Sequence, residues 1–398
     1  MRNTKATIKG GNAGRNRGHN RRVVLDYVRR NEPTGRAEIA RSCGLSVQAV
    51  SNITDALAAD GLLQVVGKTT GKRGKPVVQY RFNPDESYAV GIEMRPDAMV
   101  CAVLNLNGKL IVADRIAISN ATPERAIPMA CALIEKTINS AGRPPDKLLG
   151  VGVVMPGPFG ESALSGIGDA NLPGWQNTDI KHSFEKALGC TVVVENDATA
   201  AAISERVAGV ATKIDDLCFI YFGTGLGLGV IAGGHSQSGA FGNFGEIGHI
   251  ITQIDGNICT CGNSGCLETY ASRMAAKTYL EMRGHTAIDT QAITRLMAEN
   301  DPDLRAWIGQ AATHLSLAIG MIENIFDPET VVLGGAMPDS IIEALIAQLT
   351  LPHGSVANRK DRSMPRIIKG ASGRNTAAIG GASIIIHQTT TPALSLFN

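Results

Sequence analysis

Apolar residues recur at helical spacing early in the chain and give way to strand-like runs further on. Within Asn20–Asn31, Val24, Leu25 and Val28 share one helical face. Thr34–Leu63 predicts a helix over about Arg36–Cys43, a turn at Gly44, and a second helix capped by Ser46 and ended by Gly61. Ala40, Leu45, Val50, Ile53 and Leu57 are the expected small core. The stretch QVVGKTTGKRGKPVVQYRFNP then predicts two strands around a basic tip, Lys68 to Lys75. From about Tyr88 the pattern is α/β. Strands are expected at Val90–Met94, Met99–Leu104 and Leu110–Ala117, a helix near Pro123–Ser140, and a buried strand over Leu148–Gly157. Another strand, Cys190–Asp197, leads into an alanine-rich helix. The hairpin then restarts at Leu217 and runs through FIYFGTGLGLGVIAGG, Phe219 to Gly234. Two such strand–hairpin–strand sheets with helices predict two similar lobes and a cleft between them.

Composition fits this picture: 44% hydrophobic, 19% charged, 45 glycines and only 4% aromatics suit an α/β body better than a β-sandwich. No apolar region follows the early arginines, and no run reaches the ~18 residues of a membrane helix, so a cytoplasmic location is expected. Charge is unevenly spread. Residues 1–83 hold 16 basic and 5 acidic side chains, while the remainder carries an acidic excess. A basic module of helix, turn and helix points to DNA, with the second helix entering the major groove and the hairpin acting as a wing. Gln48, Ser51 and Asn52 are the expected base-reading positions, and Lys72, Arg73 and Lys75 the expected phosphate or minor-groove contacts. The alternative is a protein-interaction module with a solvated charged hairpin. The expected division is a flexible basic arm over 1–19, the DNA module over 20–83, a first lobe over 84–195 to which 376–398 return, and a second lobe over 196–375.

Of eight cysteines, five are isolated in apolar contexts. The other three stand in HIITQIDGNICTCGNSGCLE, where His249, Cys259, Cys261 and Cys266 fall within eighteen residues. Three thiolates and one imidazole suit a closed, structural tetrahedral Zn²⁺ site; the alternative is three buried thiols.

Several motifs together resemble the ROK family (repressor, open reading frame, kinase), in its subclass with an N-terminal winged helix-turn-helix: GKRGKP, MPGP, NLPGW, ENDATAAA, FGTGLGLG, GEIGHI, CTCGNSGCLE and VVLGGAM. The resemblance runs from about Asn20 to the C-terminus. It implies a winged helix-turn-helix followed by an actin-like (ribonuclease H-like) two-lobed sugar-kinase fold. It also implies zinc at His249, Cys259, Cys261 and Cys266, and a sugar pocket lined by Asn196, Asp197, Glu246, His249 and Glu268. Asp197 matches the general base of the family's kinases. Taken singly, Asp197 could instead be a helix N-cap, and Glu246 and Glu268 surface carboxylates. Trp175 of NLPGW lies near the ligand or simply packs.

A kinase of this fold needs two phosphate loops and Mg²⁺. The second survives as Gly223-Thr224-Gly225-Leu226-Gly227, and VVLGGAM resembles the strand-turn that meets adenosine, although Gly334 and Gly335 could equally serve packing. The first loop, Asp-x-Gly-x-Thr in the kinases, is Glu93-Met94-Arg95-Pro96-Asp97 here. Pro96 has no N–H to donate, and Arg95 on a hairpin tip is expected to be solvated, or else to pair with a phosphate. The expectation is therefore a sugar-responsive repressor without catalytic residues or use of ATP and Mg²⁺. Its partners would be operator DNA, a sugar effector, and a second copy in a dimer or dimer of dimers. A phosphotransfer-system protein is an alternative effector. The competing reading is an ATP-dependent sugar kinase with a DNA-binding appendage.

Overall fold

The computed structural model describes residues 17–70, 76–159, 172, 174–175, 177–371 and 373–390. Residues 1–16 and the basic tip with Lys72, Arg73 and Lys75 lie outside them.

The N-terminal elements are α1 (Arg17–Arg30), β1 (Thr34–Gly35), α2 (Arg36–Cys43), α3 (Val47–Ala59), β2 (Leu63–Thr70) and β3 (Pro76–Phe82). Gly44 ends α2 in the left-handed region at φ 67°, and the Ser46 hydroxyl accepts from the Ala49 N–H at 3.1 Å to start α3. Val24, Leu25, Val28, Ala40, Val50 and Leu57 are buried between the helices, with Leu45 and Ile53 packed at the margin. The strands form one sheet in the order β1-β3-β2. This apolar cluster continues into Ala89, Leu104 and Leu106 of the body and Ala382, Ile385 and Ile386 near the C-terminus.

The body begins with β4 (Tyr88–Met94), β5 (Ala98–Asn105), β6 (Leu110–Ala117), α4 (Pro123–Ala141), β7 (Leu148–Met155), α5 (Ile180–Leu188) and β8 (Val192–Asn196). Then come α6 (Asp197–Val207), β9 (Leu217–Phe222), β10 (Leu226–Ala232) and β11 (His235–Ser236). The chain ends with α7 (Glu268–Ala271), α8 (Arg273–Glu281), α9 (Thr290–Ala298), α10 (Pro302–Phe326), β12 (Thr330–Gly335), α11 (Asp339–Gln348), β13 (Ile367–Lys369) and α12 (Thr376–Thr390). The first sheet has the order β6-β5-β4-β7-β8 and the second β11-β10-β9-β12-β13. In both, an antiparallel meander of three strands is extended by two parallel strands. The repeat seen in the hydrophobic pattern is thus a repeat of topology.

Two small-residue helices join the halves. Helix α6 follows the first sheet but packs on β9 and β10 of the second, and α12 follows the second sheet but packs on β4 and β7 of the first. Glycine permits the approach. A Cβ built on Gly229 would lie 2.2 Å from the Ala198 carbonyl oxygen, and one on Gly91 1.9 Å from that of Ala378. The helices also press on each other, with a Gly380 Cβ position 2.2 Å from the Ala200 carbonyl oxygen. Among the described residues no helix is long and apolar enough to cross a membrane.

Candidate functional site

The end of β8 and the start of α6 deliver the first polar groups. The Asn196 side chain accepts from the Thr199 N–H at 2.7 Å and is the N-cap of α6. Asp197 is therefore the first helical residue. Its Oδ1 accepts from the Ala198 N–H at 2.9 Å, while its Oδ2 lies 3.2 Å from where a Gly223 Cβ would be. Glu246 opens the short helical turn Ile247–His249, and its Oε1 lies 3.2 Å from a Gly157 Cβ position at the end of β7. Nearby, Asn243 holds both backbone groups of Phe159, accepting at 2.7 Å and donating at 2.9 Å, so the two halves are clasped beside Glu246. Glu268 starts α7, with Oε2 2.7 Å from a Gly225 Cβ position.

These carboxylates feel one another. Burial pushes the Asp197 carboxyl up to about 7, and the charges of Glu93 and Glu246 add to it against the Ala198 N–H and Arg95. Glu246 is also raised, by burial first and then by Glu268, with His249 opposing. A carboxylate kept near neutrality at the end of a strand is the kind of group that exchanges protons or hydrogen bonds with a hydroxyl-bearing ligand.

His249, Cys259, Cys261 and Cys266 come together with their ligand atoms all within 4.8 Å of one another. Two isolated bridges, Ile251 with Cys266 and Ile258 with Ser264, brace the loop. Gly262 and Gly265 take φ of 91° and 82° to turn it. Cys261 and Cys266 sulfurs are 3.6 Å apart, as are Cys259 Sγ and His249 Nδ1. A disulfide needs about 2 Å. Donors around a tetrahedral ion bound at about 2.3 Å by sulfur and about 2.1 Å by nitrogen sit about 3.6–3.8 Å apart. The cluster therefore fits a metal. Glu268 Oε1 stands 3.1 Å from Cys259 Sγ and 3.6 Å from His249 Nδ1. Glu268 thus has one oxygen on the cysteine–histidine cluster and the other against the glycine turn.

At the turn between β4 and β5, Arg95 departs from the solvated position expected of a hairpin tip. Its side chain is 14% exposed and grips Glu93, Nε to Oε1 at 2.5 Å and Nη2 to Oε2 at 2.7 Å. Nη2 also donates to the Arg374 carbonyl at 3.0 Å, and the Tyr221 hydroxyl donates to Glu93 Oε1 at 3.3 Å. The cause is Glu93, only 2% exposed: a buried carboxylate requires a partner, and the bidentate guanidinium two residues away supplies one. The pair raises the Arg95 pKa well above its ordinary value. Tyr221, Arg374 and Arg273, whose pKa is lowered by burial and then by Arg95, escaped the sequence reading. Tyr221 carried a usable signal, since a tyrosine inside a buried strand must find a partner for its hydroxyl.

Of the second loop, Gly223, Thr224 and Gly225 form the β9–β10 turn, and Gly227 lies at the start of β10. Gly334 packs on Phe219, 2.9 Å from its Cβ position, and Gly335 has φ 120°. Trp175 is buried, donates to the Ala121 carbonyl at 2.6 Å and stacks on Phe184, so packing accounts for it. On α3, Gln48 and Asn52 are exposed and joined by a 3.1 Å hydrogen bond; Ser51 is half-buried and donates to Asp55.

The ROK family profile matches residues 89–389. The xylose repressor of Bacillus subtilis is 27% identical over 372 residues, covering 93% of this chain and 95% of its own length. The crystal structure of a ROK family transcriptional regulator, a homolog of the E. coli MLC protein, superposes with TM-score 0.75 at 23% identity, covering 94% of this chain and 96% of its own. A ROK family glucokinase from Streptomyces griseus, in complex with glucose and AMPPNP, superposes with TM-score 0.62 at 24% identity, over 75% of this chain and 99% of its own. The body has the ROK sugar-kinase fold.

Proposed function

This chain belongs to the ROK family, and on that footing we propose that it is a sugar-responsive, DNA-binding transcriptional repressor with a kinase-like body that senses a sugar without phosphorylating it. The observation that carries the reading is the contrast between two places in one body. Asp197, Glu246 and Glu268 still converge with Asn196 and His249, whereas the first phosphate loop is filled by the chain's own Arg95–Glu93 pair. The sugar would hydrogen-bond to the carboxylates and the Asn196 amide. So many carboxylates together favour a neutral polyol over a phosphorylated one. With Pro96 lacking an N–H and Arg95 engaged by Glu93, positioned donors for a γ-phosphate are missing, and each is commonly worth about 3 kcal/mol.

The cysteine–histidine cluster would hold zinc as a structural ion, fixing the loop that presents Glu268 and His249. With Nδ1 turned to the cysteines, His249 keeps Nε2 for the sugar. The N-terminal helices and three-stranded sheet serve as a winged helix-turn-helix: Gln48, Ser51 and Asn52 face base edges, and Lys72, Arg73 and Lys75 of the wing contact phosphates or the minor groove. A homodimer is supported by Leu317, Met321 and Ile325, which make an apolar stripe on the exposed face of α10. It would read half-sites about one helical turn apart.

A calorimetric screen of neutral sugars with full-length protein, repeated in the presence of Mg-ATP, tests the reading. One sugar is expected to bind in a way that Asp197→Asn abolishes, to change operator affinity, and to release no ADP. Turnover of ATP, or operator binding indifferent to the sugar that binds, would refute it.

A further inference from the structure

A second polar cleft lies where the end of α1 meets the end of α6, the helix whose first residue is Asp197. It is an open cleft of about 350 Å³ lined by Arg29, Arg30, Asn107, Arg206, Thr212 and Lys213. Two carboxylates face these four cations. Asp26 takes Arg29 at 3.3 Å and Arg30 at 2.9 Å, and Asp215 takes Arg206 at 2.9 Å. Lys213 is exposed and has no ion pair among the described residues. The C-terminal ends of α1 and α6 add about half a negative charge each, which leaves the cleft positive.

The surroundings respond to that surplus. The Arg206 side chain is 9% exposed, held by Asp215 and by the Gly234 carbonyl at 3.2 Å. Behind it the rings of His235 and His387 meet edge to face at 6.0 Å. Burial, then Arg206, His235, Arg29 and Arg30, push His387 down to about 3, and burial and Arg206 lower His235 as well. Both imidazoles therefore stay neutral beside the cations rather than adding to them.

We propose that this cleft is a ligand site for a small phosphorylated metabolite, whose phosphate is gripped by Arg30, Arg206 and Lys213 and clamps α1 against the body. Guanidinium forks and an ammonium match the oxygens of a phosphate dianion, while Asn107 and Thr212 supply neutral donors at the rim. The volume suits a molecule of sugar-phosphate size. The occupant would touch α1 on one side and α6 with the following turn on the other. The binding site stands on the charge geometry alone; an effect on operator affinity rests on the repressor reading.

The test titrates full-length protein with inorganic phosphate and inorganic diphosphate at constant ionic strength. Saturable binding at one site per chain is expected, weakened at least tenfold in Arg30→Ala/Lys213→Ala and in Arg206→Lys, and unchanged in Lys277→Ala/Lys360→Ala. Absence of saturable binding, or equal binding by the first double variant, overturns the proposal. So does loss of diphosphate binding in Asp197→Asn, which would put the anion in the carboxylate site. A double variant with weaker operator binding and a flatter salt dependence, but no small-anion binding to lose, would assign the cations to DNA phosphates instead. Diphosphate binding that leaves operator affinity untouched would uphold the site and refute its coupling to DNA.

Discussion

Replacing Arg95 by methionine removes the guanidinium from Glu93 while keeping the volume of its stem. Glu93 is 2% exposed, and Arg95 supplies two of its three side-chain hydrogen bonds, at 2.5 and 2.7 Å; the third comes from Tyr221 at 3.3 Å. The variant leaves a buried carboxylate with that one long partner and also frees the Arg374 carbonyl. Breaking a buried pair by removing one partner costs about 3–5 kcal/mol. The loss is concentrated where the two halves meet, because Glu93 lies on β4 and Tyr221 on β9. Urea denaturation at pH 8, followed by tryptophan fluorescence and far-ultraviolet circular dichroism, measures it. The companion Glu93→Gln/Arg95→Met removes both charges and should recover more than half of the loss. Neither variant should turn over ATP, since the loop still contains Pro96 and lacks glycine and threonine donors. If Arg95→Met costs less than about 1 kcal/mol, or the double variant is no more stable than the single, Arg95 is not the required partner of Glu93.

Asp197→Asn tests the raised carboxyl: the unfolded chain ionises from about pH 4, whereas the folded group holds its proton to about 7. The sugar-free wild type therefore loses stability relative to the variant as pH rises between these values and loses no more above them. The gap should reach about 2–4 kcal/mol at pH 8 and nearly vanish at pH 4, as denaturation at the two pH values would register. Gly229→Ala places a methyl 2.2 Å from the Ala198 carbonyl, where backbone cannot yield, and should cost about 1–3 kcal/mol in thermal unfolding. Cys261→Ser should lower bound metal in elemental analysis and, through the Glu268 contact, weaken the sugar response; full metal content with normal response would separate the cluster from the site. Asn52→Ala should relax discrimination at one operator base pair by about 1–3 kcal/mol, read from affinities for a set of operator variants.

The elements were legible because local signals agreed with the final packing. Gly44, Ser46 and Gly61 sit where a turn, a cap and a helix end were expected, with Gly44 at φ 67° and Gly61 at φ 77°. Both hairpins and the buried strands followed from period and length. The gathering of His249, Cys259, Cys261 and Cys266 was readable because the four residues are close in sequence. Arg95 was not readable, because the reason for its burial includes Tyr221 and Arg374, which lie more than a hundred residues away. The cap alternative read for Asp197 is displaced by one residue: Asn196 caps α6 and Asp197 begins it, a difference only the backbone geometry decides. The expected division set the segment of α6 in the second lobe and returned that of α12 to the first, but the close contact of the two helices with each other was hidden. Alanine and glycine runs announce close packing but not against what. Charge suggested a boundary near residue 83, yet the apolar core passes across it into Ala382 and Ile386.

The glycine turn between β9 and β10 then carries a different meaning from the one its sequence suggests. Around a nucleotide, its glycines would be explained by backbone donors reaching a phosphate. Here each has a neighbour inside the protein. A Cβ on Gly225 would lie 2.7 Å from Glu268, one on Gly223 3.2 Å from Asp197, and one on Gly227 2.8 Å from the Ala198 methyl. Larger residues would push out the carboxylates proposed for the sugar or lift β10 from α6. The turn is thus required by the site and the helix exchange even with no nucleotide bound, and its survival carries no information about ATP. The informative loop is the first one, between β4 and β5. There Arg95 and Glu93 pair with each other, with the Tyr221 hydroxyl and with the Arg374 carbonyl, and they reach Asp197 through charge. On the proposed reading, the turn that decides against phosphoryl transfer is this one, because Pro96 offers no N–H there and Arg95 is already engaged by Glu93.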